Sequence, residues 1–114
     1  STSTGSTAYS LSAGGSIISP KLDVWSIIPI LSHNLSSRPF VISSEQPLTV
    51  NLINGPKNEA SISADGQKDI SVPFGKSITI NKKKDKLKLI HPKSYNFFEA
   101  CREKLGWSIG TDKN

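Results

Sequence analysis

The sequence predicts a mainly β protein, an antiparallel β-sandwich or meander with a short N-terminal helix and a C-terminal helix. Apolar and polar residues alternate with a period of two through the middle of the chain, which is typical of half-buried strands. Turn-forming residues recur at intervals of roughly 8 to 12 residues, the spacing typical of antiparallel sandwiches. Near the C-terminus, apolar residues recur every three to four positions instead, which indicates a helix.

The first element is a hydroxyl-rich loop that leads into a short helix. Residues 4–15 read TGSTAYSLSAGG, and we expect the helix to begin near Thr7 and to stop at the two glycines. Gly5 allows the backbone to come close to a ligand, and the free amides of the first helical turn point outward. Tyr9 adds a flat ring and a hydroxyl. Small polar residues around one aromatic ring suit a nucleoside, although similar loops occur in proteins that bind no ligand.

Strand-forming segments follow. Residues 24–31 form an apolar run that Pro29 places at a sheet edge or bulge, and residues 38–43 form a second short run. Five successive half-buried strands then predict a meander, each identified by apolar residues on one face: Leu48, Val50 and Leu52, then Ile62 and Ala64, then Ile70 and Val72, then Ile78 and Ile80, then Leu87 and Leu89. Turn residues separate these strands at residues 54–56, 65–66, 73–75 and 82–88.

The last element is a helix. Ser94 is the predicted N-cap, and Gly106 is the predicted stop. The apolar stripe of this helix consists of Tyr95, Phe98, Cys101 and Leu105. Phe97 and Trp107 add apolar surface beyond that stripe, so the helix has more to bury than the edge of a small sandwich offers.

Composition indicates one small domain. The chain has 114 residues, of which only 35% are hydrophobic, so we expect a thin two-layer structure or a core completed by another segment. No apolar run approaches the roughly 20 residues of a membrane span, and no signal segment is recognised, so we expect a soluble protein without a membrane partner. The single cysteine, Cys101, excludes an internal disulfide and favours the reducing cytoplasm.

The net charge of +5 raises the possibility of nucleic-acid binding. Much of the excess charge lies in the lysines of residues 82–88, where Asp85 interrupts the run. Aromatic residues do not alternate with these lysines, as a base-stacking surface would require. The run therefore favours a solvated turn, and no nucleic-acid partner is expected.

The sequence offers no catalytic group and no metal site. Serine chemistry is not expected, because the nucleophile motif G-x-S-x-G is absent and no base is identified. His33, His91 and Cys101 do not have the spacing of metal ligands. His33 is interpreted as a loop histidine, and Cys101 as a packed residue on the apolar side of the helix.

Three segments, in this order, resemble the NAD kinases and together cover nearly the whole chain. The first is residues 4–15. The second, residues 29–39, reads PILSHNLSSRP and is similar to the family's proline-histidine-x-leucine-x-x-arginine-proline stretch. The third, residues 89–107, is similar to the tail of bacterial members. Serines stand where the family usually has proline, at Ser3, Ser16 and Ser32. Each such replacement costs about 0.4–1 kcal/mol of folding stability, because the unfolded chain is freer without proline.

The resemblance implies the C-terminal, NAD-binding domain of an NAD kinase, which phosphorylates the 2′-hydroxyl of the adenosine ribose of NAD with ATP. It implies that NAD is bound by Thr7, Ala8, Tyr9, Ser10, Leu11, Ser12 and Gln67. Without the resemblance, Tyr9 and Leu11 could instead pack into the sandwich, and Gln67 could be a solvated turn residue.

The family's catalytic half does not occur in this sequence. NAD kinases carry an N-terminal α/β domain with a glycine-glycine-aspartate-glycine loop and an asparagine-glutamate pair, and neither motif is present. The resemblance therefore implies an N-terminal domain partner, ATP and Mg²⁺ in the complete enzyme, and a homodimer or homotetramer. We expect residues 1–93 to form the NAD-binding sandwich and residues 94–114 to pack on the N-terminal domain.

Two alternatives belong to other classes. Lipid kinases have a similar architecture, although residues 8–15 favour the NAD kinases. The strand pattern alone would also fit a non-catalytic β-sandwich that binds a sugar or a protein.

Overall fold

The computed structural model of the chain describes residues 1–56 and 59–107. It divides into two compact units, Ser1–Lys83 and Lys84–Asn114. The predicted division between residues 93 and 94 concerns packing on a further domain and stays a prediction.

The first unit contains two short helical turns and six strands. Its elements, in chain order, are a 3-10 helix at Thr4–Thr7, α1 at Tyr9–Ser12, β1 at Val24–Ile27, β2 at Phe40–Ser43, β3 at Leu48–Asn51, β4 at Glu59–Ala64, β5 at Lys68–Pro73 and β6 at Ser77–Ile80. All paired strands are antiparallel, in the pairs β1-β2, β3-β6 and β4-β5. The predicted mainly β, antiparallel class is therefore confirmed.

The order of pairing differs from the simple meander. Strand β3 pairs with β6, so the β4-β5 hairpin lies between them along the chain. The hairpin turns tightly because Asp65 and Gly66 adopt φ values of 52° and 66°. This turn reverses the chain and allows β3 and β6 to meet. The strand predicted around Leu87 and Leu89 is not found in the described part of the chain, and these side chains are 87% and 57% exposed.

The first sheet ends at proline residues. Strand β1 stops two residues before Pro29, and β2 starts immediately after Pro39. Proline cannot donate to a strand ladder, so the apolar run of residues 24–31 forms a strand only over its first half. Thr2 forms a bridge with Trp25 beside β1, which brings the start of the chain against this sheet.

Apolar burial is sparse in the first unit. Among its described residues, Ile18 is the buried hydrophobic residue, at 6% exposure, whereas five buried positions are serines: Ser3, Ser6, Ser10, Ser26 and Ser44. The thin core agrees with the low hydrophobic fraction of the sequence. Hydrogen bonds of serine hydroxyls consequently carry part of the packing in this unit.

The described residues of the second unit, 84–107, contain one helix, α2, at Phe97–Leu105. Asn96 caps it, because its side-chain oxygen accepts hydrogen bonds from the amides of Phe98 at 2.9 Å and Glu99 at 3.2 Å. The predicted cap, Ser94, was wrong by two positions. Gly106 ends the helix in the left-handed conformation, at φ 70°, as predicted.

The predicted helix stripe is shifted accordingly. Tyr95 precedes the helix, and its ring stacks on His91 with ring centroids 3.8 Å apart. Cys101 is buried, whereas Phe98 is 72% and Trp107 is 51% exposed. Residues 108–114 of the predicted tail lie outside the described residues. No helix in the described ranges is long and apolar enough to cross a membrane.

Candidate functional site

The opening segment, residues 1–18, contains two helical turns joined at Ala8. In the first turn, the amide of Ala8 donates to the carbonyl of Gly5 at 3.1 Å. In the second, the amide of Leu11 donates to the carbonyl of Ala8 at 3.1 Å. Ala8 itself has φ −96° and ψ −131°, outside helical values. The single helix predicted from Thr7 is thus a 3-10 turn, a break and one α-helical turn.

The opening segment has a buried face and an exposed face. The buried face consists of Ser3, Ser6 and Ser10, at 7%, 0% and 8% exposure. Ser3 and Ser6 are one turn of the 3-10 helix apart, and Ser10 lies beyond the break at Ala8, in α1. On the opposite face, Ala8 and Ser12 are exposed, and the ring of Tyr9 is 72% exposed. Such a flat, accessible ring between small residues can stack on a planar ligand.

Hydroxyl groups attach the buried face to chain segments further along. The hydroxyl of Ser3 donates to the carbonyl of Leu22. The hydroxyl of Ser6 accepts from the amide of Ile18 at 2.9 Å and lies 3.4 Å from the carbonyl oxygen of Ile18, to which it donates. Ser10 differs, because its buried hydroxyl has no hydrogen-bond partner within the described ranges.

The glycine pair ends α1 for two different reasons. Gly14 has φ 91°, a conformation that side chains disfavour. Gly15 is required by space: a Cβ atom there would lie 2.6 Å from Cδ1 of Ile28 and 2.8 Å from the carbonyl oxygen of Ser10. The amide of Gly15 also donates to that oxygen at 2.9 Å. The close approach therefore leaves no room for a side chain between the segment that follows α1 and Ile28, which follows β1.

The predicted site positions differ in exposure, and their contacts with NAD stay predictions. Thr7 and Leu11 are half-buried, and Tyr9 is not packed in the core, so the packing alternative for its ring does not hold. Ser10 lies on the buried face, where a ligand would not reach its side chain. Gln67 is exposed in the β4-β5 turn, and its amide donates to the carbonyl of Ala64 at 3.1 Å. Its predicted contact with NAD stays a prediction.

His33 lies in a loop that hydrogen bonds to itself. The side-chain oxygen of Asn34 accepts from the amide of Ser36 at 3.0 Å, and the guanidinium of Arg38 donates to the carbonyl of Leu35 at 2.7 Å. His33 is exposed, which agrees with its interpretation as a loop residue. The loop offers no arrangement of base and nucleophile.

The lysine run is a solvated surface segment. Residues 82–88 are all exposed, and Lys82 forms an ion pair with Asp23 at 3.0 Å. Because both side chains are partly exposed, such a pair contributes about 1 kcal/mol or less. The described ranges contain no group of three histidine, cysteine or acidic side chains that could hold a metal ion.

Sequence reasoning missed the residues that support the site from inside. Ser3 was noted only as a replacement for a family proline, and neither Ser6 nor Ile18 was assigned a supporting role. The serine recurrence at positions 3, 6 and 10 was the available signal, since three small hydroxyl residues share one helical face.

Comparison with known proteins decides the family. Residues 1–92 match the model of the ATP-NAD kinase C-terminal domain. The chain belongs to this family. It is 44% identical to the NAD kinase of Hahella chejuensis, over 99% of this chain and 38% of that protein. It is 49% identical to the NAD kinase of Marinobacter nauticus, over 94% of this chain and 36% of that protein.

A solved structure supports the same assignment. Yeast NADH kinase, complexed with NADH, is similar to this ATP-NAD kinase C-terminal domain with a TM-score of 0.76 and 25% sequence identity. The match covers 97% of this chain and 35% of the yeast chain. The predicted family and fold are therefore confirmed. The chain spans little more than a third of the length of the proteins that it matches.

Proposed function

We propose that this domain binds NAD within a longer NAD kinase, which transfers the γ-phosphoryl group of ATP to the 2′-hydroxyl of the adenosine ribose and gives NADP. The observation that carries the proposal is the exposed face of the opening segment. There, Tyr9 presents its ring beside Ala8 and Ser12 in a chain that matches the family over residues 1–92.

The residues of this chain would hold and orient the acceptor. The ring of Tyr9 offers a stacking surface, and the hydroxyls of Thr7 and Ser12 offer hydrogen-bond partners for a sugar or a base. Gln67, exposed in the β4-β5 turn, adds an amide that can donate and accept. Phosphoryl transfer depends mainly on such positioning and on charge stabilisation, so a domain without a catalytic group can contribute strongly.

The catalytic carboxylate and the ATP site belong, in this proposal, to an N-terminal α/β domain. The fraction of the relatives that this chain spans, 38% in the Hahella protein, supports such a partner. Mg²⁺ would neutralise phosphate charge during transfer. The described residues contain no set of three metal-ligating side chains, so no step of the metal is assigned to this chain.

We propose that the complete enzyme is a homodimer or homotetramer, as the resemblance implies. The single cysteine, Cys101, supports a location in the reducing cytoplasm. No observation favours a lipid kinase or a non-catalytic binding module.

The test uses the full-length protein that carries this chain. It is incubated with ATP and Mg²⁺ and with NAD or NADH as acceptor, and the phosphorylated dinucleotide is measured by chromatography. We expect ATP-dependent phosphorylation at the 2′-position of at least one acceptor. Calorimetry with each acceptor in the absence of ATP separates binding from transfer. A protein that neither binds nor phosphorylates either dinucleotide would overturn the proposal.

A further inference from the structure

The orientation of the exposed face of the opening segment depends on the contacts that hold the buried face of the same segment. In most proteins, short helical turns are anchored by large apolar side chains. Here the three buried anchors are serines, and Ser6 is the most buried of them, at 0% exposure. A ligand cannot touch this side chain, so any effect of Ser6 on a ligand must act through its neighbours.

The hydroxyl of Ser6 uses both of its hydrogen-bonding functions on one distant residue. It accepts from the amide of Ile18 at 2.9 Å and donates to the carbonyl of Ile18 at 3.4 Å. Ile18 is itself buried, at 6% exposure. Because both backbone groups of Ile18 are engaged, the pair of bonds restrains both the distance and the rotation of the 3-10 turn.

The neighbouring serines cannot replace this restraint. Ser3 is attached to Leu22 before the turn begins, and the buried hydroxyl of Ser10 has no partner in the described part of the chain. Between these two positions, Ser6 is the serine whose hydroxyl joins the segment to the buried residue Ile18. It directly precedes Thr7, which is half-buried, and Ala8, with which the exposed face begins.

We propose that Ser6 is a positioning residue for the dinucleotide: it does not contact NAD, but its two hydrogen bonds to Ile18 hold Thr7 and Tyr9 in their binding orientation. The inference rests on the proposed function. It also assigns to Ser6 a role that differs from fold stability, because the restraint acts on the orientation of the exposed face.

The test compares Ser6→Ala with the parent in the full-length protein, at a temperature well below the melting temperature of both. We expect the Kd for NAD, measured by calorimetry, and the KM for NAD to rise about fivefold to tenfold, the scale of a lost hydrogen-bond restraint. The KM for ATP is expected to stay within about twofold of the parent value, since the proposed function places the ATP site in the N-terminal domain. Ser6→Cys, which keeps a weak donor and acceptor, is expected to restore part of the NAD affinity.

Ser26→Ala is the matched control. Ser26 is also buried, at 3% exposure, but its hydroxyl has no partner within the described ranges, so its removal should leave the Kd for NAD unchanged. If Ser6→Ala lowers only the melting temperature and keeps the parent Kd and KM for NAD, Ser6 is a structural residue and the inference is wrong. If the parent itself neither binds nor phosphorylates NAD or NADH, the proposed function fails first, and the inference fails with it.

Discussion

The opening segment and helix α2 both present an aromatic ring to solvent, yet they are held in different ways. Tyr9 and Phe98 are each 72% exposed. Helix α2 is bounded by signals within its own sequence, the side-chain cap of Asn96 and the left-handed Gly106. The opening segment is held by hydrogen bonds to partners 12 and 19 residues further along the chain.

Helix α2 is therefore specified by residues at its own ends, whereas the exposed face of the opening segment forms only when the first unit is folded. A change in α2 should act on the helix itself. A change in the opening segment should alter the affinity for NAD, which the exposed face binds in the proposed function. Changes in the two regions should therefore differ in whether they affect NAD binding or only the stability of a helix.

The largest effect concerns the chain alone. In the proposed function the opening segment holds the acceptor, but this chain has no candidate for the phosphate loop or the catalytic carboxylate of NAD kinases. We expect no measurable kinase activity from the purified 114-residue chain. The same assay on the full-length protein is the positive control. ATP-dependent NADP formation by the chain, free of full-length enzyme, would contradict the proposal that the ATP site and the catalytic carboxylate belong to an N-terminal domain.

Gly15→Ala should destabilise the first unit. The added Cβ would overlap Ile28 and Ser10, and such overpacking costs about 3 kcal/mol at the upper end of its usual range. Gly75→Ala is the control, because its Cβ would meet open space and only its φ of 88° opposes the change. We expect Gly15→Ala alone to weaken NAD binding as well, measured by calorimetry beside thermal melting. Equal NAD affinities in the two variants would contradict the packing argument.

Tyr9→Ala should impair the use of NAD with little change in stability. The loss of a stacking ring should lower kcat/KM for NAD, and the fall should correspond to about 1–3 kcal/mol of lost transition-state stabilisation. Phe98→Ala removes a ring of equal exposure from α2 and should leave the KM for NAD unchanged. A large fall in melting temperature with unchanged kinetics for Tyr9→Ala would instead indicate that the ring supports the fold.

Asn96→Ala should give the smallest effect. The loss of the cap should destabilise α2 by about 1 kcal/mol, because the amides of Phe98 and Glu99 lose their acceptor. Hydrogen exchange at the first turn of α2 measures this loss directly. Ser94→Ala is the control and should have no effect on the exchange rates. If the two variants exchange alike, Asn96 is not the cap that stabilises the helix.

Local chemistry explains which parts of the fold could be predicted from the sequence. Asp65-Gly66 specified a tight turn, and Gly106 specified the end of α2, because both need a positive φ. The pairing of β3 with β6 could not be read from alternation, which places residues on a face but does not choose a partner strand. The same alternation at Leu87 and Leu89 predicted a strand that the structure does not form there.

The candidate site shows the same limit. The resemblance to the NAD kinases was the basis for predicting that the segment from Thr7 to Ser12 binds NAD. The inward orientation of Ser10 was not predicted, because the resemblance assigned every residue from Thr7 to Ser12 to NAD, whereas the side chain of Ser10 is 8% exposed. The Ser6–Ile18 bonds were also missed, since a serine side chain gives no sequence signal for a partner 12 residues away.

The pairing of β3 and β6 around the β4-β5 hairpin has a consequence for the order of folding. The inner strands meet through a short turn at Asp65-Gly66, so they lose little chain entropy on closure. The outer contact between Asn51 and Ser77, 26 residues apart, becomes less costly once the hairpin has shortened the path between them. The inner hairpin should therefore form first and act as the nucleus on which the outer pair closes.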